Sequence, residues 1–375
     1  MYRQYLAPAR GRPNLTVRTG AKTTRVALEA GAGGARRAVG VEYLAGDSAQ
    51  RQTAGLKPGG EVLMCAGAVH TPQLLMLSGI GPAAALRAHG IEVHVDAPGV
   101  GAGLQDHPAI VLAHRMKPEL DDGITVTSQI YDKKSNIKPA AVLQYLFGRR
   151  GPLTTTGCDH GAFVSTTGGG QPDLQVRFVP AMSLDPDGVS AYAIFGELKR
   201  LGLSWPGGFT MQLLAVRPRS RGSVTLRSAD PLDRPEIDVG YLTDAGGADL
   251  KTLIAGLRLA RGVAGRPSLA QYASGEEFPG AGVESDADIE AYIRRTVHSG
   301  NALVGTAAMG ASAAAGAVVS SADLSVFGVA GLRVVDASVL PRIPGGQTGA
   351  AAVMVAERTA AAMVGGKTVA ATVRA

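Results

Sequence analysis

Four polar residues in this sequence stand out for the chemistry they could do: Arg177, Cys158, His298 and Asn301. Arg177 lies between the apolar Val176 and Phe178 in a strand-like run, so alternation gives it a face of its own. A guanidinium offers a planar fork of donors matched to a carboxylate, and it stays charged at any relevant pH. A carboxylate drawn out of water needs such a pairing to offset its lost hydration. The bland alternative is a structural ion pair within the chain, with Asp185 or Asp187. His298 and Asn301 are three apart and would share a face on a helical turn, supporting an ordered water or bracing the glycine-rich turn that follows. Cys158 follows a Thr-Thr-Thr-Gly turn; a lone thiol there is either a small buried hydrophobe or a reactive group. Cys65 ends an apolar strand and reads as core.

The elements that must position these groups follow an α/β pattern. Leu15–Thr19, Thr24–Leu28 and Val39–Tyr43 alternate as strands, and Glu61–Cys65 reads as a short buried strand. Thr71-Pro72 is expected to open a helix that Ser78-Gly79 closes. Gly99–Pro108 (GVGAGLQDHP) is a glycine-rich loop. From about Ile110 to Leu214, strand-like runs at 173–179 and 209–214 alternate with Pro/Gly/Asp turns, which suggests an antiparallel sheet. Gly222–Arg227 adds a strand, and residues 249–264 carry apolar side chains at helical spacing. Gly331–Asp336 is expected as a buried strand, followed by a helix over 350–364.

Composition narrows the function classes. A chain of 375 residues has length for two to three average domains. Fifty-one glycines without a repeating period point to many tight turns and close backbone approaches. The net charge of +6 is spread thinly, with no basic stripe interleaved with aromatics, which argues against nucleic acid as a partner. Two cysteines so far apart make no metal spacing, so no metal is expected. The uncharged stretch 302–319 is rich in Ala, Gly and Ser and too weakly apolar to favour a membrane span. No cleavable targeting segment is visible, and a soluble protein is expected. Peripheral contact with a membrane stays open, as does the oligomeric state.

Four motifs carry a family resemblance: Gly67–Pro82, GVGAGLQDHP, the Gly305-Thr-Ala-Ala-Met-Gly310 element and Gly331–Pro341. In this order they resemble the glucose-methanol-choline (GMC) flavin oxidoreductases nearly from end to end. The resemblance implies FAD as cofactor and three segments: a partial FAD-binding domain (1–112), a substrate domain of antiparallel sheet plus helices (113–299), and a return to the FAD-binding domain (300–375). No Gly-x-Gly-x-x-Gly occurs, although a flavin-binding βαβ unit needs that turn at the pyrophosphate. The expectation is an N-terminally incomplete form of a longer protein.

In alcohol-oxidising members, the residue three before Gly305 is a histidine that removes the hydroxyl proton; here it is Ala302, which cannot accept one. Gln347 stands where a second polar partner, His or Asn, is usual, and it can hydrogen-bond but not act as a base. Within the family the chain is similar to the fatty acid photodecarboxylases, through the segments 151–159, 173–180, 240–244, 298–302 and 344–349. That resemblance implies light-driven decarboxylation of long-chain fatty acids with FAD as photo-oxidant, in a chloroplast. It implies that Arg177 and Asn301 hold the carboxylate and that Cys158 lies beside it, as hydrogen donor or positioning group. His298 would support a water, Tyr192 and Gln212 would line the substrate, and Thr23, Gly349 and Gln347 would contact FAD. Two rivals remain: an alcohol dehydrogenase whose displaced base is a residue such as His298, and a non-catalytic fragment unable to retain FAD.

Overall fold

The computed structural model describes residues 2–31, 34–46, 50–120, 123–155, 157–158, 160–187 and 191–365. In its first part, β1 (Ala21–Ala30) and β2 (Arg36–Ala45) pair antiparallel, with β3 (Arg51–Gly55) on the far edge of β2. The short strand β4 (Val62–Met64) then leads into helix α1 (Gly67–Leu77).

The middle of the chain builds a six-stranded sheet. Its strands are β5 (Pro108–Met116), then, after helix α2 (Pro139–Gly148), β6 (His160–Val164) and β7 (Leu174–Val179). Helix α3 (Ala191–Leu201) precedes β8 (Gly208–Ala215). Helix α4 (Ala248–Ala264), strand β9 (Ala273–Phe278), helix α5 (Asp286–Thr296) and the two-residue strand β10 (His298–Ser299) complete it. Spatial order is β9–β5–β8–β7–β6, antiparallel throughout, with β10 also pairing β5.

The remainder returns to the first part. β11 (Val329–Ala330) pairs parallel with β2, and β12 (Leu332–Val334) pairs parallel with β4. Helix α6 (Thr348–Met363) follows. Accordingly, one hydrophobic core joins Val26, Leu75 and Ile80 to Val304, Val319 and Val334. A second joins Ile110, Leu174 and Met211 to Leu253, Leu257 and Ile293, so α4 and α5 cover one face of the large sheet. Strand alternation dictates the rest. Leu174, Val176 and Phe178 face that core, which turns Gln175, Arg177 and Gln212 to the opposite face.

Several expectations need correction. Leu15–Thr19 is not a strand; it is exposed and β1 begins at Ala21. The helix near Pro72 starts four residues before Thr71, at Gly67, so Pro72 lies inside it. Proline lacks the N–H that would bond the carbonyl of Ala68, and Thr306 Oγ1 donates to that carbonyl instead, at 2.7 Å. Cys65 is exposed rather than core, because β4 ends at Met64 and alternation turns both Leu63 and Cys65 outward. His298 and Asn301 do not share a helical turn: His298 pairs with Ala109 in the sheet, while Asn301 sits in a tight turn at φ 59°.

Candidate active site

The polar face of the large sheet carries a hydrogen-bonded row that spans three strands. Arg177 on β7 stands directly opposite Gln212 on β8, and its Nη1 donates to Gln212 Oε1 at 3.2 Å. Gln212 Nε2 lies 3.1 Å from His298 Nε2, and His298 Nδ1 lies 3.0 Å from the carbonyl of Thr296. The donors and acceptors leave one consistent assignment. A carbonyl can only accept, so His298 carries its proton on Nδ1 and Nε2 accepts from the Gln212 amide. The guanidinium can only donate, which fixes the amide oxygen toward Arg177.

Arg177 keeps donors to spare. Its Nε is buried without an acceptor among the described residues, and no described ion pair involves it. Burial lowers its pKa, while Cys158 and Asp106 lie near enough to counter that shift electrostatically. Cys158 is exposed and precedes β6, whose Gly161 pairs with Arg177. A Cβ at Gly161 would meet the carbonyl of Val176 at 2.3 Å, so only glycine lets β6 approach so closely.

A second cluster, centred on Asp106, shapes the loop at 298–302. Asp106 is buried and accepts from Ser299 Oγ at 2.5 Å, Tyr241 Oη at 2.7 Å and the Ala302 amide at 2.8 Å. Burial, with Asp106 beside it, pushes the Tyr241 phenol far above its ordinary range, which keeps it a donor. Ser299 Oγ also accepts from the Asn301 amide, holding Asn301 left-handed with its side chain exposed. Ala302 is fully buried and belongs to the first core.

His107 completes the junction. Its Nε2 donates to the carbonyl of Pro344 at 3.1 Å, and its own carbonyl accepts from Gly300 N. Burial depresses its pKa below the usual 6.5, so the ring is neutral near pH 7. Gln105 donates to the carbonyl of Pro218 and accepts from Ile343 N. Residues 105–107 therefore tie the 298–302 loop to the segment that leads into α6.

Sequence reasoning passed over Asp106, His107 and Tyr241, although all three stand in motifs it used. Their signal was polar residues inside otherwise glycine-rich or turn-forming stretches. Of the residues it did select, Arg177, Gln212, His298 and Cys158 come together. Asn301 lies on the Asp106 loop, and Gln347 and Gly349 are exposed at the start of α6. Thr23 is half-buried on β1, remote in sequence from the sheet row. Tyr192 lies in α3, and its side chain falls outside the described residues. Among the described residues no cluster of His, Cys, Asp and Glu could hold a metal, and no helix is long and apolar enough to cross a membrane.

The GMC oxidoreductase family models match residues 1–109 (N-terminal) and 218–356 (C-terminal). The chain belongs to the GMC oxidoreductase family. It is 63% identical to the chloroplastic fatty acid photodecarboxylase of Chlamydomonas reinhardtii, over 98% of this chain and 60% of that protein. It is 36% identical to the alcohol dehydrogenase [acceptor] of Pseudomonas putida, over 96% of this chain and 60% of the relative. Among solved structures, pyridoxine 4-oxidase from Mesorbium loti superposes with a TM-score of 0.72 at 26% identity, covering 94% of this chain and 59% of that one. This GMC chain thus spans about 60% of the length of the curated relatives it matches.

Proposed function

We propose that this GMC protein is a fatty acid photodecarboxylase, releasing from a long-chain fatty acid a hydrocarbon one carbon shorter. The observation that carries this reading is the buried Arg177 Nε with no acceptor among the described residues, on a guanidinium already steadied by Gln212. A carboxylate would supply the missing acceptor and receive a charge-assisted hydrogen bond. The 63% identity to a protein named for that activity adds to it.

FAD suits the groups that this chain presents. Helix α6 begins at Thr348 without a side-chain cap, so its first backbone N–H groups are open to an acceptor, and its positive end favours developing negative charge. Gly349 has nothing within 4 Å of where a Cβ would stand, which leaves room for a flat ring against the backbone. Gln347 and Gly349 would border the ring and Thr23 the adenine end. Bound FAD would supply the light-driven one-electron oxidation.

The chain's own part is placement. Arg177, with Asn301, would hold the carboxylate stripped of water. Gln212 and His298 would fix the guanidinium's direction, and Cys158 would act next to the reacting carbon. Tyr192 would line the acyl chain. No base is needed, in accord with Ala302 at the position where the alcohol-oxidising members carry histidine. A displaced base at His298 fits less well, because both of its ring nitrogens are engaged. In domain terms, residues 1–112 and 300–375 would form the flavin side and 113–299 the substrate side, although β5 runs across the 112/113 boundary and Ile110 and Leu112 belong to the second core. A plastid location follows the name of the algal relative alone.

The experiment is illumination of the FAD-loaded protein with palmitate under blue light, followed by gas chromatography. Pentadecane above the dark control is expected; flavin reduction by an alcohol in the dark, without alkane, would establish the dehydrogenase instead. A purified chain with no flavin absorbance band would favour the non-catalytic fragment.

A further inference from the structure

We propose that the face built on α2 docks onto the surface of an anionic lipid bilayer. This rests on the surface itself and does not require the photochemical reading. Helix α2, Pro-Ala-Ala-Val-Leu-Gln-Tyr-Leu-Phe-Gly, has no charged residue, yet only Ala141 is buried. Leu143, Leu146 and Phe147 are 53%, 56% and 84% exposed. A surface helix ordinarily buries its apolar stripe against the protein and turns charges to water; this one does neither. Leu203, 50% exposed, is joined to the segment that leads into α2, its carbonyl accepting from Ser135 Oγ.

Charge decides the occupant. Between Asp132 and the acidic residue at 159 there is no Asp or Glu, while Lys133, Lys134, Lys138, Arg149 and Arg150 all fall there. The exposed Arg149 and Arg150 therefore stand at the C-terminal end of α2, and the exposed Lys133 and Lys134 ahead of its start with Asp132 beside them, while Lys138 Nζ donates to the carbonyl of Ser128. Apolar residues that enter the interface, with basic residues beside them, form the pattern of a helix lying in the headgroup plane of anionic lipid. Ten residues are too few to span a bilayer. Ahead of α2, where Tyr131 bridges Ile137, the rings of Tyr131, Phe195 and Trp205 cluster with centroids 5.0, 5.1 and 6.5 Å apart. The 310 turn Pro152–Thr154 packs on α2 and leads within four residues to Cys158, so a docked face would set the candidate site close to the lipid.

The test is flotation of the 375-residue chain with vesicles. Binding is expected to vesicles containing phosphatidylglycerol in phosphatidylcholine, to weaken with added salt, and to be slight with phosphatidylcholine alone. Phe147→Asp should lower affinity about tenfold or more. The double variant Arg149→Glu/Arg150→Glu should lower it at least about 25-fold, at about fivefold per lost basic residue. All three side chains are exposed, so unchanged far-ultraviolet circular dichroism is expected. In a second design, Trp205 is the only tryptophan. Phe147→Trp in a Trp205→Phe background should show a blue-shifted emission on adding the anionic vesicles. Absence of flotation, or flotation untouched by these variants, overturns the proposal. So does a dimer in vesicle-free solution that Phe147→Asp converts to a monomer, because the face would then be covered by a second copy.

Discussion

The row from Thr296 through His298 and Gln212 to Arg177 has a direction, because every member but the last is satisfied by its neighbour. The unspent hydrogen-bonding capacity accumulates at the guanidinium. Arg177→Leu should therefore weaken binding of a fatty acid carboxylate by about 2–5 kcal/mol, read by calorimetry with palmitate; an unchanged affinity would remove Arg177 from the site. Gln212→Glu offers a sharper probe. It would place a carboxylate against the guanidinium from within the chain and satisfy it, so fatty acid affinity should fall although the arginine is intact. That charge would also bring a salt-sensitive and pH-sensitive binding curve, which a merely structural glutamine would not.

Helix α1 illustrates how an element can depend on residues far from it. Pro72 opens a gap in its ladder at the Ala68 carbonyl, which Thr306 fills. Thr306→Val keeps the shape but leaves that buried carbonyl unpaired, and should lower stability by about 1–3 kcal/mol in a urea melt. An unchanged midpoint would mean that the gap is tolerated. The same element marks the limits of reading from sequence. The strand alternation around Arg177 was legible because periodicity is local, and β7 keeps it. The helix start at Gly67 was not, since what makes an interior proline bearable is a hydroxyl from another segment. Asp106 was equally silent: beyond the adjacent His107 amide, its partners Ser299, Tyr241 and Ala302 come from two distant stretches. Cys65 and Asn301 were misplaced for a related reason, as one residue at a strand end or a left-handed turn reverses the direction of a side chain.

At the scale of the whole molecule, acid acts through buried imidazoles. Burial depresses the pKa of both His107 and His114 below 6.5. The unfolded chain then binds more protons between the two values, so their contribution is fully present above about pH 6.5 and is lost as pH falls toward the folded values. Each unit of depression at the fully buried His107 corresponds to about 1.4 kcal/mol. Melting temperature should drop from pH 7.5 toward pH 5.5, and His107→Gln should flatten that slope; a parallel slope in the variant would assign the acid sensitivity elsewhere. The contact between Thr306 and Ala68 has a further consequence, in time. The two residues are 238 positions apart. At roughly 5–20 residues per second, a ribosome needs about 12–50 s to travel from one to the other. For that interval α1 has emerged with its backbone incomplete, exposing apolar residues to whatever holds nascent chains. Full protection of α1 against protease during synthesis should thus arrive only after Thr306 has cleared the exit tunnel.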